Sequence, residues 1–413
     1  MSFPDADTCR TLDNRDPLRP WRDAFRLPDG VIYLNGNSLG PLPKAVPPRL
    51  EKTVLTDWSI GLTKSWNAAG WFGLPARVGG RIAPLIGAHP HEVIMADTVS
   101  ANLFKLAAAA CRLRPERHII LAAEDDFPTD LYMMQGLTDF MAGDKRLVTV
   151  PRTGLAKAVD GDTALVLVSH VHYVSADIAD MAAVTRAAQQ KGALILWDLS
   201  HSAGAVPVDL TAAGADFAVG CGYKYLNGGP GAPAFVYAAE RHHETVRQPL
   251  TGWFGHARPF AFNARYEPAA GMTKLLTGTT GILGAAALDA ALDVFDRVDM
   301  ALAREKSLAL SSLFIDALDS DLSEYGFTLA SPREGARRGG HVTIRHPHGY
   351  QIVQALIDHG VIGDFRAPDY MRFGFAPLYL GYSDVHQAVE RIRTVMDSGL
   401  WRAPHYGVRK TVT

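Results

Sequence analysis

Asp198 ends the apolar run Ala-Leu-Ile-Leu-Trp of residues 193–197, and ligands of open α/β sheets gather at the carboxyl ends of such strands. His201 follows three residues later. Lys224 lies 26 residues beyond Asp198, where a second apolar run enters the turn Gly-Cys-Gly-Tyr-Lys-Tyr-Leu-Asn-Gly-Gly-Pro-Gly. A carboxylate and an amine so placed suit pyridoxal 5′-phosphate. The amine condenses with the cofactor aldehyde, and the carboxylate pairs with the pyridine nitrogen, so that the protonated ring becomes an electron sink. The pair alone also reads as a strand-end Asp capping the next helix beside a solvated Lys. The glycines and aromatics around Lys224 favour the cofactor reading.

The elements that must position these groups are legible as apolar runs at 118–122, 147–150, 164–168, 193–197, 217–221 and 234–237, alternating with helix-period segments. That alternation predicts a mainly parallel sheet covered on both faces. Residues 179–191 (ADMAAVTRAAQQK) read as a crossover helix closed by Gly192. The Ala- and Leu-rich segments 281–298 and 301–322 favour helix and lead out of the large domain. A strand at 341–345, a helix at 350–359, strands near 361–365 and 371–375 and a helix at 383–396 make a small α+β C-terminal domain. The expected division is an N-terminal segment 1–45 packing with the small domain, a large domain 46–295 and a small domain 296–413. The proline-rich stretch 41–48 reads as a connection.

Composition excludes several classes. The chain has 413 residues, 47% apolar and 20% charged, which is ordinary for a compact enzyme and unlike disordered or coiled-coil proteins. Lys and Arg total 41 against 43 Asp and Glu, a net charge of −2 without a basic stripe, so nucleic acid is not an expected partner. No apolar run reaches the ~20 residues that span a bilayer, and the N-terminus lacks the basic and apolar regions of a secretory signal. Cys9, Cys111 and Cys221 form neither a disulfide framework nor a zinc motif, which points to the cytoplasm. The pairs His89/His91, His242/His243 and His346/His348 lack zinc-protease spacing, and no metal is expected.

Seven segments carry a specific resemblance: Tyr33-Leu-Asn-Gly-Asn-Ser-Leu-Gly-Pro-Leu-Pro-Lys44, Ser65-Trp-Asn-Ala-Ala-Gly-Trp71, Phe127-Pro-Thr-Asp130, Trp197-Asp-Leu-Ser-His-Ser-Ala-Gly204, the Lys224 turn, Gly252-Trp-Phe-Gly-His256 and Arg372-Phe-Gly-Phe-Ala-Pro-Leu-Tyr379. Together they resemble kynureninase, a pyridoxal phosphate-dependent family of the aspartate aminotransferase superfamily, nearly end to end. The resemblance implies a transferase-like α/β large domain and hydrolytic Cβ–Cγ cleavage of L-kynurenine to anthranilate and L-alanine. It assigns Lys224 to the cofactor aldehyde and to proton transfer, Asp198 to the pyridine nitrogen with Asp130 nearby, and Phe127 to stacking on the ring. His201 and Ser169 join the cofactor site. Val99, Ser100 and Tyr223 take the phosphate, and Tyr223 doubles as an acid or base during cleavage. Trp253 and Thr279 complete the phosphate site from the other subunit of a homodimer. Arg372 clamps the substrate carboxylate, with Ser38 closing over the substrate and Trp66 lining its aryl end.

Two features complicate this picture. Gly36-Asn-Ser-Leu-Gly40 satisfies the G-x-S-x-G pattern of serine hydrolases, yet Pro41 and Pro43 replace the helix that a nucleophile elbow requires. The segment Leu276-Thr-Gly-Thr-Thr-Gly-Ile-Leu283 departs from the family, whose members usually carry a proline before the Ile and often an amide near Thr279. The loss of a partner for a ring hydroxyl favours L-kynurenine over 3-hydroxykynurenine. A substituted kynurenine in a biosynthetic pathway is the alternative.

Overall fold

The computed structural model describes residues 3–411. Three short strands come first: β1 (Phe25–Arg26), β2 (Ile32–Tyr33) and β3 (Leu42–Pro43). A sheet of seven follows, built from β4 (Val93–Met95), β5 (Ile119–Ala123), β6 (Arg146–Val150), β7 (Thr163–Ser169), β8 (Leu194–Asp198), β9 (Phe217–Gly220) and β10 (Phe235–Ala238), in the order β4-β10-β9-β8-β7-β5-β6. The run from β9 to β6 is parallel, as the alternation predicts, whereas β10 and β4 close one end antiparallel.

The central strands are buried on both faces. Leu194 and Leu196 of β8 enter one apolar cluster with Leu103 and Leu106, while Ile195 and Trp197 enter the other with Leu199 and Leu210. The period-two alternation of a strand thus feeds two cores at once, which is why the sequence runs are continuously apolar. The crossover helix spans Met181–Gln190, with Asp180 accepting from the Ala183 amide at 2.9 Å.

The C-terminal part holds β11 (Thr328–Leu329), β12 (His341–Arg345), β13 (Val361–Ile362), β14 (Asp364–Arg366) and β15 (Tyr370–Gly374). Four of these form an antiparallel sheet in the order β11-β12-β15-β14, and β13 pairs in parallel with β2 from the far end of the chain. Helices Met300–Asp319 and Tyr382–Asp397 pack together there.

Two expectations need adjusting, and one strand escaped the sequence reading. The stretch 41–48 is more than a connection: β3 pairs with β1, and helix Val46–Lys52 carries Pro47 and Pro48 in its first turn, where a missing amide hydrogen costs nothing. Residues 281–298 split into an α-helix, Ile282–Ala291, and a tighter 3₁₀ turn, Leu292–Arg297. Strand β4 has only three residues at a sheet edge and left no readable run. Among the described residues no helix is long and apolar enough to cross a membrane.

Candidate active site

Asp198 is the last residue of β8, in register with Ser169 at the end of β7 and Val219 in β9. The adjacent strand ends therefore converge on one spot. Asp198 Oδ1 accepts from the Ser200 amide at 2.9 Å and from the Ser200 hydroxyl at 2.6 Å. Asp126, just past β5, accepts from the Ser169 amide at 3.2 Å and from Arg152 at 2.9 Å. Asp130 stands in the first turn of helix Pro128–Phe140, buried, with Oδ2 lacking a partner.

Lys224 is carried on a turn held by the Gly228 amide donating to the Gly222 carbonyl. A Cβ on Gly222 would lie 2.4 Å from the Pro233 carbonyl oxygen, so this turn admits only glycine there. The N-terminal motif closes on it from behind. The Gly40 amide donates to the Tyr223 carbonyl at 2.8 Å, and a Cβ on Gly40 would lie 2.3 Å from the Lys224 carbonyl. Lys224 Nζ donates to His201 Nε2 at 3.0 Å and lies 6.0 Å from the centre of the Phe127 ring.

These groups enclose a cavity of about 160 Å³. Its lining includes Lys224, Tyr223, Asp198, His201, Asp130 and Ser169, with Phe127 on one side and Val99 and Ser100 on another. Phe127 is 41% exposed, so a ring face is free, and its edge meets Tyr173 at 5.3 Å. Val99 and Ser100 open the helix Val99–Leu113, capped by Thr98 accepting from the Ala101 amide. Unpaired amides and the helix dipole favour an anion there.

Burial raises the Asp198 carboxyl above its ordinary range, offset in part by Lys224 and the Ser200 bonds. Burial, joined by the charges of Asp198 and Asp126, pushes Asp130 well up, with Lys224 opposing. Asp126 is pushed up to about 6 by burial against the pull of Arg152. Burial and the neighbouring Lys224 hold His201 far below its usual value, so the imidazole is neutral. Crowded buried carboxylates, an orphaned Asp130 oxygen, an accessible aromatic face and a helix N-terminus together fit a planar cationic ring with an anionic tail.

The remaining predicted residues lie outside the cavity lining. Arg372 is buried and engaged: Nε and Nη2 donate to Asp364 at 2.7 and 2.5 Å, and Nη1 donates to the Tyr173 carbonyl at 2.5 Å. Ser38 accepts from Arg366 at 3.5 Å, and Arg366 also pairs with Asp364 at 3.0 Å. Trp66 packs edge-on against Trp71 and Phe254. Trp253 Nε1 donates to Thr279 Oγ1 at 3.2 Å, so these two meet each other. Tyr173, Thr129, Ser200, Asp364 and Arg366 escaped the sequence reading. Tyr173 follows the end of β7 by four residues, and the strand-end rule that found Asp198 was the signal for it.

Comparison with known proteins follows the same lines. Residues 303–392 match the kynureninase C-terminal domain model. A kynureninase from Pseudomonas fluorescens is 49% identical over 411 residues, covering 98% of this chain and 99% of the relative. One from Burkholderia mallei is 48% identical over 408 residues, covering 97% and 98%. A cysteine desulfurase from Escherichia coli superposes with a TM-score of 0.77 at 18% identity over 92% of this chain and 98% of its own, a likeness of fold.

Proposed function

The chain belongs to the kynureninase family, hydrolases that cleave the Cβ–Cγ bond of kynurenine with pyridoxal 5′-phosphate, and from that premise we propose that L-kynurenine is the preferred substrate and that the cavity around Lys224 does the work. The observation that carries this reading is the meeting of Lys224, Asp198 and the open face of Phe127 in one cavity.

Asp198 would hold the ring nitrogen, Phe127 would pack on the ring, and Ser169 and His201 would complete its surroundings. The amides of Val99 and Ser100 and the Tyr223 phenol would take the phosphate. When bound, the cofactor supplies an electron sink for carbanionic character at the substrate α- and β-carbons. Lys224 Nζ removes the α-proton, and its contact with neutral His201 holds the amine on line. Water adds to the γ-carbonyl carbon. The Cβ–Cγ bond then breaks, the γ-carbon leaves as the carboxyl of anthranilate, and the β-carbon takes a proton to become the methyl of alanine. Burial drives the Tyr223 phenol upward, so it keeps its proton and donates it at the cleavage step. Arg372, pre-oriented by Asp364, meets the substrate carboxylate, Ser38 closes beside Arg366, and Trp66 lines the aryl end.

A homodimer is part of this reading. Trp253 and Thr279 stand outside the cavity of their own chain and are available to a second one. Trp253, Phe260 and Phe262 are 40%, 65% and 83% exposed, an apolar surface suited to a second copy. We divide the chain at 45 and 295; the β2–β13 pairing supports the packing of the N-terminal segment with the small domain. Three unpaired cysteines support a cytoplasmic setting, with no nucleic-acid or membrane partner.

The test is to load the protein with pyridoxal phosphate, add L-kynurenine and identify products chromatographically beside Lys224→Ala. Equal anthranilate and alanine, absent in the variant, are expected; turnover by the variant overturns the role of Lys224. A specificity constant higher for 3-hydroxykynurenine than for L-kynurenine overturns the substrate preference.

A further inference from the structure

Lys105 is a buried cation in the second turn of the helix Val99–Leu113, only 1% exposed, and it lies outside the cavity lining. Its Nζ reaches two separate segments. On one side it bonds to the Asp97 carboxylate and approaches Asn102 Oδ1 at 3.5 Å. On the other it donates to the Leu275 carbonyl at 2.8 Å, 170 positions further along the chain.

On the dimer reading above, one segment leads to this chain's own phosphate region and the other to that of a second copy. Asp97 has φ +38°, a left-handed conformation costly for a residue with a side chain, and it immediately precedes Thr98, Val99 and Ser100. The Asp97 carbonyl accepts from Ala234, and Asn102 donates to the Ala96 carbonyl at 2.6 Å, so the turn is held from several sides. Leu275 opens the segment that carries Thr279. A Cβ on Gly252 would lie 2.1 Å from the Thr277 carbonyl oxygen, which brings the Trp253 loop directly onto that segment. Burying an ammonium is costly without partners. A lysine that held only its own helix would not need a distant carbonyl.

We infer that Lys105 is a positioning residue for cofactor phosphate: it locks the Asp97 turn that aims the Val99 and Ser100 amides and fixes the Leu275–Thr279 segment in the same bond set. This rests on the reading above that these segments hold the phosphate.

The experiment titrates the full-length chain, freed of cofactor, with pyridoxal 5′-phosphate and with pyridoxal, which lacks the phosphate. Lys105→Met is expected to weaken pyridoxal phosphate at least about fivefold while leaving pyridoxal within about twofold, and Lys105→Arg to restore part of the loss. A merely structural lysine would lower the melting temperature without changing the ratio of the two affinities. A wild-type preference for the phosphorylated form that survives intact in Lys105→Met overturns the inference and leaves the reading standing. A wild type without that preference overturns the reading itself. Should Lys105→Met fail to fold, Asp97→Asn on the half-exposed partner carries the same expectation and the same refutation. For the second segment, Lys105→Met and Thr279→Ala are combined: losses that fall short of multiplying support the link, and fully multiplicative losses refute it.

Discussion

Lys224 Nζ and His201 Nε2 are 3.0 Å apart, and the imidazole is buried and neutral, with its Nδ1 lacking a partner. The histidine thus accepts a hydrogen bond from the amine without competing for its proton. Replacing it with Gln keeps an acceptor, whereas Phe keeps the bulk alone. His201→Phe is expected to lower kcat/KM for kynurenine by about 10–100-fold and His201→Gln by clearly less, as read from steady-state kinetics. Equal losses would remove the hydrogen bond from the account.

Asp198→Asn replaces the carboxylate proposed above to pair with the ring nitrogen by a near-isosteric amide. Ser200 still has an acceptor, so the fold survives. The expected outcome is a fall in kcat of about 100-fold or more, with a melting temperature within a few degrees of wild type. Substantial turnover would exclude the charge from the electron-sink role.

Asp364 holds Arg372 through a two-pronged bond and Arg366 through a third contact, all within the small sheet. Burial works against its ionisation, but the two guanidiniums hold it below the ordinary carboxylate range. Asp364→Ala leaves buried positive charge unpaired and is expected to destabilise the protein by about 3–5 kcal/mol in urea unfolding. Arg372→Lys cannot reproduce the fork and is expected to raise KM for kynurenine by about tenfold with a smaller effect on kcat.

His341 is fully buried, its Nε2 directed at the Val174 carbonyl and its ring 5.6 Å from that of His201. Burial, with Arg372 nearby, holds it down to about 3, whereas the unfolded chain protonates it near its ordinary value of 6.5. Its contribution to stability is present above pH 6.5 and is lost as pH falls towards 3. His341→Gln is expected to flatten the stability profile by up to about 1.4 kcal/mol per pH unit between about pH 4 and 6, measured by urea unfolding across that range.

The sequence disclosed what is written locally. Ala164–Val168 and Ala193–Trp197 were legible as strands because burial on both faces leaves no polar position in them. Asp198, Phe127 and Lys224 were legible because strand ends and glycine turns have local signatures. Val93–Met95 was not, since an edge strand of three residues has no period to detect. Asp364, Arg366 and Lys105 were also missed. Arg366 and Lys105 reach partners far away in the chain, Ser38 lying 328 positions from Arg366 and Leu275 lying 170 from Lys105, while Asp364 meets Arg372 only across the pairing of β14 with β15. Only packing brings such pairs together.

The parallel pairing of Ile32 with Val361 bears on how the protein is made. A ribosome delivers residues 25–44 first and their partner strand almost last, so the segment that backs the Lys224 turn has no sheet to join for most of translation. The seven-strand layer can assemble earlier from runs that are near neighbours in sequence, whereas the two-strand junction waits on a loop closure of more than 300 residues. A nascent chain released before residue 361 therefore carries every strand of the large sheet and an unfinished back wall. The Ile32–Val361 junction and Arg372 thus arrive with about the last eighth of the polypeptide, after every residue that lines the cavity around Lys224, so a chain cut short there holds that cavity without the arginine read as the substrate clamp.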